Sequence, residues 1–281
     1  MASEDLQPGS TVGPYRIVEP LGEGAVGIVF EAVREPEGET VALKVLRPEL
    51  STDETFRQRF VHEARAAGEV RHPYLVPIVD AGEVDSRSYL AVSFVRGRTL
   101  EARLRDGTLS MQELVRLIAH LGSALDALHA AGLVHRDVKP SNVMIDEGGS
   151  AMLTDFGLAK GRAYTVLTRP GMVMGTLDYL APELIRGEEA TSATDLYALG
   201  GVAYEAVSGR PPFGDVSMFE LATAHLNRTP DDPTIGRSDA SPGVAFAILR
   251  ALAKDPGQRP PTGTALANLL AIGSGVSPSS S

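Results

Sequence analysis

The feature that most constrains the fold is a change of period part-way along the chain. From Gly13 to about Leu46, apolar residues come in short runs, "YRIVEPLG", "GIVFEAVR" and "TVALKVL", broken by Gly, Pro and Glu. Such β-branched runs read as strands. "TDETFRQRFVHEARAAGEV" then reads as a helix with Phe56, Phe60, Ala64 and Ala67 on one stripe. Two further strand candidates lie near "LVPIVDAGEV" and "SYLAVSFV". After Gly97 the pattern turns helical. Ser110 and Glu113 have capping-box spacing, and Leu114, Leu117, Ile118, Leu121, Leu125 and Leu128 follow at helical spacing up to Gly132. "ATDLYALGGVAYEAVSG" reads as a buried helix, and "FELATAHLN", "GVAFAILRALAK" and "GTALANLLAI" as further helices. There is no internal repeat. The fold class expected is α+β with two lobes: a flexible leader over 1–12, a small β-rich lobe over 13–95, a larger, mainly helical lobe over 96–272, and a flexible Ser/Pro tail over 273–281. A cleft between two lobes is a usual place for a ligand.

Composition narrows the function classes. The chain of 281 residues is 43% hydrophobic, enough for real cores. It has no run of about 18 apolar residues to suggest a membrane span, and "MASEDLQPGS" does not read as a secretory signal. The absence of cysteine excludes disulfides, thiolate metal sites and a cysteine nucleophile, and fits a reducing cytoplasm. A net charge of -10 argues against non-specific nucleic-acid binding, and the lack of tryptophan argues against base-stacking platforms.

Two signals point to phosphate. "LGEGAVGIV" places Gly22, Gly24 and Gly27 in a G-x-G-x-x-G spacing, which lets backbone approach a phosphate closely. Alone the triplet also fits a glycine-rich hairpin turn. A dinucleotide fold would put a helix next, whereas "GIVFEAVR" reads as a strand, so the loop is a hairpin lid. Lys44 in "VALKVL" lies in an apolar strand, where a lysine either snorkels to water or needs a partner. Glu63, in the helix that follows, offers one. The third signal is "HRDVKPSN", residues 135 to 142. It sets an acid (Asp137), a cation (Lys139) and an amide (Asn142) in one short loop stiffened by Pro140. A site that takes a proton, neutralises a phosphate and holds a metal needs all three.

With "DFG" at Asp155, Phe156 and Gly157 and "APE" at Ala181, Pro182 and Glu183, five motifs stand in order. Over roughly residues 13–270 the chain resembles a eukaryotic-type (Hanks-type) protein kinase, and within that family the bacterial serine/threonine kinases. The resemblance implies the bilobal kinase fold, with one key helix in the small lobe, and ATP-dependent transfer of the γ-phosphate to Ser or Thr hydroxyls of proteins. By resemblance, Asp137 orients the acceptor hydroxyl and takes its proton. Lys139 steadies the γ-phosphate, and Asn142 and Asp155 hold Mg²⁺, with Mn²⁺ as an alternative. Lys44, held by Glu63, contacts the α- and β-phosphates. Leu21, Gly22, Glu23, Gly24, Ala25, Val26, Gly27, Ile28 and Val29 cover them. The adenine lies between Val29 and Ala42 on one side and Met144 on the other. The hinge alignment of "YLAVSFVRG" puts Val92 at the gatekeeper and offers Ser93 to Val95 for backbone hydrogen bonds to the base. Many relatives have methionine then glutamate at Val92 and Ser93, so this chain implies a roomier back pocket.

The resemblance also implies that Thr176 lies beside the catalytic aspartate and lysine. Glu183 pairs with Arg259, and Asp195 anchors the catalytic-loop backbone. The activation segment, residues 155–183, carries Thr165 and Thr168 as candidate autophosphorylation sites, Thr168 the better one, with Arg136 and Lys160 as the phosphate pocket. His129, Glu205 and the acidic pair Glu188 and Glu189 read as packing or solvated surface. Partners implied are ATP, protein substrates with Ser or Thr acceptors, a second copy in trans, and a homodimer through the small lobe. The location implied is cytoplasmic, with membrane anchoring if the natural chain continues beyond Ser281. Two alternative readings compete with this one. A scaffolding pseudokinase is disfavoured by the intact Lys44, Asp137, Asn142 and Asp155. A small-molecule kinase such as an antibiotic phosphotransferase is disfavoured by "APE".

Overall fold

The computed structural model describes residues 6–24, 26–47, 54–85, 87–155, 177–214 and 216–276. Ala25, Phe156, Gly157, Lys160, Thr165, Thr168 and Thr176, all singled out in the sequence, lie outside the described residues. The backbone groups into two compact units, Met1–Arg71 with Val76–Arg96, and His72–Leu75 with Gly97–Ser281.

The first unit contains β1 (Thr11–Val12), β2 (Tyr15–Glu23), β3 (Gly27–Arg34), β4 (Glu39–Leu46), α1 (Glu54–Gly68), β5 (Ile78–Val84) and β6 (Arg87–Ser93). The strands form one antiparallel sheet in the order β1-β2-β3-β4-β6-β5, with α1 packed against β5. Strand alternation decides what each face carries. In β4, Val41, Leu43 and Val45 are buried, while Ala42 and Lys44 face the other way and are half-buried. The buried set joins Tyr15, Ile17, Phe30, Ala32, Tyr89 and Ala91 in one core. Tyr15 and Tyr89 meet edge to face and both donate their hydroxyls to Asp80, at 3.3 and 2.9 Å. The expected loose leader over 1–12 is corrected for residues 6–12. Val12 is buried, β1 pairs with β2, Gly9 N–H donates to Ile17 O at 2.9 Å, and Leu6 packs on the core.

The second unit contains β7 (Gly97–Thr99), α2 (Leu100–Leu104), α3 (Met111–Ala130), β8 (Val143–Asp146), β9 (Ala151–Leu153), α4 (Pro182–Ile185), α5 (Ser192–Ser208), α6 (Met218–Asn227), α7 (Pro242–Ala251) and α8 (Gly263–Ser274). The lobe is mainly helical, and to the helices read after Gly97 the structure adds a three-stranded antiparallel sheet of β7, β8 and β9. Ser110 and Glu113 form a complete capping box that starts α3, and Gly209 ends α5 at φ 77°, a conformation that favours glycine. Along α5, thirteen of seventeen residues are buried, so it is the helix around which the others pack. Helices α3 and α8 come close enough that a Cβ on Gly122 would lie 2.6 Å from the Gly263 carbonyl. The expected tail from 273 is corrected at its start, since α8 runs to Ser274 and closes on Gly275 at φ 67°.

Candidate active site

The chemistry-bearing loop lies between α3 and β8 and is built on a single buried carboxylate. Asp195, one turn into α5 and fully buried, accepts the backbone N–H of His135 (Oδ2, 2.8 Å) and of Arg136 (Oδ1, 2.8 Å). It also lies 2.8 Å from His129 Nε2. Two adjacent amides aimed at one carboxylate need an unusual backbone, and Arg136 has φ 66°. His135 is buried; its Nε2 lies 3.1 Å from Thr154 O, and its Nδ1 accepts the Asp137 N–H at 3.3 Å. That pairing puts the ring proton on Nε2. Burial pushes the imidazole below its ordinary value, so the ring stays neutral at physiological pH.

Asp137, Lys139 and Asn142 converge. Asn142 Nδ2 donates to the Asp137 carbonyl (2.8 Å) and to Oδ2 (2.9 Å), and Lys139 Nζ lies 3.1 Å from the same Oδ2. Pro140 starts a single 3-10 turn that brings Asn142 back under Asp137. Asn142 O accepts the Thr154 N–H at 2.9 Å, which sets Asp155 next to Asn142 in space. Asp155 also has positive φ, 60°. The amide of Asn142 uses its NH₂ on Asp137, leaving a carbonyl oxygen as donor, and Asp155 supplies a carboxylate. Hard oxygen donors of this kind suit Mg²⁺, which takes one or two protein ligands and fills the rest with phosphate and water. Consistent with so sparse a donor set, no group of three or more His or acidic side chains among the described residues could hold a metal. Beside the loop is a cavity lined by Arg136, Asp137, Lys139, Tyr179, Leu180 and Thr194, among others.

Below it, Glu183 forms a buried two-pronged pair with Arg259, at 2.7 and 2.8 Å, and accepts from Thr194 Oγ1 at 3.0 Å. Arg259 also donates to the Ala193 and Ala253 carbonyls, at 2.7 and 2.9 Å. The guanidinium and the hydroxyl outweigh burial and hold the Glu183 carboxyl below the usual range. His129 and Glu205, dismissed in the sequence, both have work. His129 contacts Asp195, and Glu205 accepts the Tyr179 hydroxyl. Burial, with Asp178 and Glu101 nearby, raises the Glu205 carboxyl above its usual value. No short-range signal marks either residue, because their partners lie 66 and 26 positions away.

The first unit carries the remaining candidates. Leu21, Gly22 and Glu23 end β2, and Gly27, Ile28 and Val29 begin β3, with Glu23 opposite Ile28 and Gly22 opposite Val29. The Gly24 N–H donates to Gly27 O within the turn (2.9 Å), and Val26 O accepts from Arg47 N–H (2.9 Å). Arg47 also pairs with Glu23 at 2.5 Å. A Cβ on Gly27 would run into the Val45 carbonyl, whereas one on Gly22 would meet nothing within 4 Å. Lys44 is opposite Val29 on one side and Leu90 on the other, and Ala42 is opposite Val92. Glu63 is half-buried on α1. Ser93 N–H is already used, donating to Pro77 O at 2.9 Å. Val95 follows the end of β6. In the second unit, Met144 is half-buried on β8 between Thr99 and Met152.

The family described as protein kinase domain matches residues 15–269. The chain belongs to the protein kinase family. Its relatives place it among the bacterial serine/threonine type. It is 39% identical over 258 residues to serine/threonine-protein kinase PknH of Mycobacterium bovis, covering 92% of this chain and 43% of that protein. To PknE of Mycobacterium tuberculosis it is 40% identical over 257 residues, covering 91% and 45%. The kinase domain thus spans less than half the length of these curated relatives. Among solved structures, it matches the M. tuberculosis PknI kinase domain with a TM-score of 0.79 at 29% identity, covering 96% of this chain and all of that one.

Proposed function

We propose that this kinase domain transfers the γ-phosphate of ATP to serine and threonine hydroxyls of proteins. The observation that carries the reading is the convergence of Lys139 and Asn142 on Asp137, on a loop held by Asp195. In this reading Asp137 orients the acceptor hydroxyl and takes its proton, and Lys139 offsets charge building on the transferring group. Asn142 and Asp155 would hold Mg²⁺, which would supply positive charge to offset that of the phosphates. Lys44, paired with Glu63, binds the α- and β-phosphates under the loop from Leu21 to Val29. The backbone from Ser93 to Val95 recognises the base. Thr165 and Thr168 are the proposed autophosphorylation sites, received by Arg136 and modified in trans by a second copy.

No helix among the described residues is long and apolar enough to cross a membrane. This reading puts the kinase domain in the cytoplasm, with membrane anchoring if the natural chain continues beyond Ser281.

The test is transfer of label from γ-labelled ATP with Mg²⁺ to casein and to the protein itself, with Asp137→Asn as control. The reading expects label on Ser and Thr only, reduced at least about 10²-fold in the variant. Equal labelling of the variant, or phosphorylation of an aminoglycoside in place of protein, overturns it.

A further inference from the structure

The glycine-rich turn is tied unevenly to its two neighbouring strands. The register of β2 on β3 is broken twice, between Ile17 and Glu19 and between Pro20 and Gly22, and Leu21 is exposed. By contrast, β3 and β4 pair without interruption, from Gly27 opposite Leu46 to Arg34 opposite Glu39. The next residue after Leu46 is Arg47, and it reaches the turn in three ways. Its backbone N–H donates to Val26 O at 2.9 Å. Its Nε donates to Gly24 O at 3.3 Å, and a terminal guanidinium nitrogen pairs with Glu23 Oε1 at 2.5 Å.

These contacts fix more than a surface ion pair would. Nε and the terminal nitrogen belong to one planar fork, so a single rigid group spans two successive residues of the turn. The Gly24 and Val26 carbonyls are both drawn toward Arg47. Across a trans peptide the C=O and N–H point in opposite directions, so the Gly27 amide that follows the Val26 carbonyl points away from Arg47. Gly24 N–H donates to Gly27 O at 2.9 Å and closes the turn. Lys44 lies three residues before Arg47 on β4, opposite Val29. One residue thus fastens the turn to the strand that carries Lys44.

We infer that Arg47 is a positioning residue for nucleotide binding, which holds the glycine-rich turn in one conformation before ATP arrives. The inference rests on the reading that this turn covers the phosphates. Arg47 acts through the turn backbone and not as a cation on the nucleotide, since Glu23 offsets its charge. The ion pair by itself contributes little, because Glu23 is largely exposed. What matters is how often the turn is in its competent form. Affinity falls in proportion to that fraction when the fastening is lost.

The experiment titrates the non-hydrolysable ATP analogue AMP-PNP, with Mg²⁺, into the kinase domain and three variants, and follows with steady-state kinetics. Arg47→Met keeps the aliphatic stem and removes the fork. It is expected to weaken binding about fivefold and to raise the KM for ATP by a similar factor, with the KM for a peptide acceptor and the urea midpoint little changed. Arg47→Lys keeps the charge without the fork and is expected to lose nearly as much. Glu23→Gln is expected to weaken binding about twofold. A direct attraction between Arg47 and the nucleotide makes the opposite forecast: wild-type affinity in Arg47→Lys, and tighter binding in Glu23→Gln. Either result overturns the inference. Unchanged affinity in Arg47→Met, beside a wild type that binds the analogue, also overturns it and leaves the functional reading standing. A wild type that binds no nucleotide removes that reading, and the inference with it. A further measurement needs no variant to fold. In the nucleotide-free wild type, solvent exchange of the Arg47 Nε–H, followed by NMR, is expected to be at least about tenfold slower than in an unstructured peptide. Exchange as fast as in the peptide overturns the inference.

Discussion

Asp195 gathers the backbone of two successive residues and the ring of a third onto one carboxylate. Removing Asp195 takes away the carboxylate that accepts both the His135 and the Arg136 amide, at about 1–3 kcal/mol for each hydrogen bond lost. Asp195→Ala is expected to lower stability by about 3 kcal/mol or more in urea titrations. Asp195→Asn keeps the shape and one acceptor oxygen. It is expected to lower kcat for peptide phosphorylation by about tenfold or more while changing the KM for ATP little, because in the proposed mechanism the loop it positions acts on the acceptor hydroxyl. Steady-state kinetics on the folded variant checks this. The grouping of Asp137, Lys139 and Asn142 was legible because all three lie within six residues of one another. The partnership of His129 with Asp195 was not, since a contact across 66 positions leaves no local pattern.

At the scale of elements, the glycine-rich hairpin separates two jobs that look alike in sequence. Gly27 is a packing glycine, with the Val45 carbonyl where its Cβ would be; a Cβ on Gly22 would meet nothing within 4 Å, and one on Gly24 only the Gly27 carbonyl at 3.9 Å. Gly27→Ala is therefore expected to destabilise the first unit by about 1–3 kcal/mol, through displacement of β3 from β4. Gly22→Ala is expected to leave the unfolding midpoint nearly unchanged and to raise the KM for ATP. Thermal unfolding and kinetics on both variants distinguish the two roles. Long helices such as α3 and α5 were readable because four or more turns repeat their apolar stripe. The strands β7 and β9 are three residues each, too short to display an alternation, and they were missed. The ordering of residues 6–12 was missed for a related reason: a two-residue strand is held by its partner, and Gly9, Ser10 and Pro8 alone suggest only a turn.

Over the whole molecule, four histidines of the second unit, His72, His120, His135 and His225, have imidazoles lowered chiefly by burial. A depressed imidazole contributes stability that is fully present above the unfolded value of about 6.5 and is lost as pH falls toward the folded one. For His225 that window runs from about 6.5 down to about 3. Each group adds a slope of up to about 1.4 kcal/mol per pH unit inside its window. Urea unfolding free energy is therefore expected to change less between pH 8 and 7 than between pH 6 and 5, where it falls by more than about 1.4 kcal/mol. His225→Gln should make that fall shallower.

The Glu183–Arg259 pair joins two points 76 positions apart, in a protein that has no cysteine. In the native fold it works as a cross-link. Unlike a disulfide, it places no restraint on the unfolded chain, and so it gains nothing from loop-closure entropy. It is equally indifferent to the redox state of its surroundings. A cell that changes its thiol poise leaves this clasp untouched, and each newly made copy can close it without an oxidant.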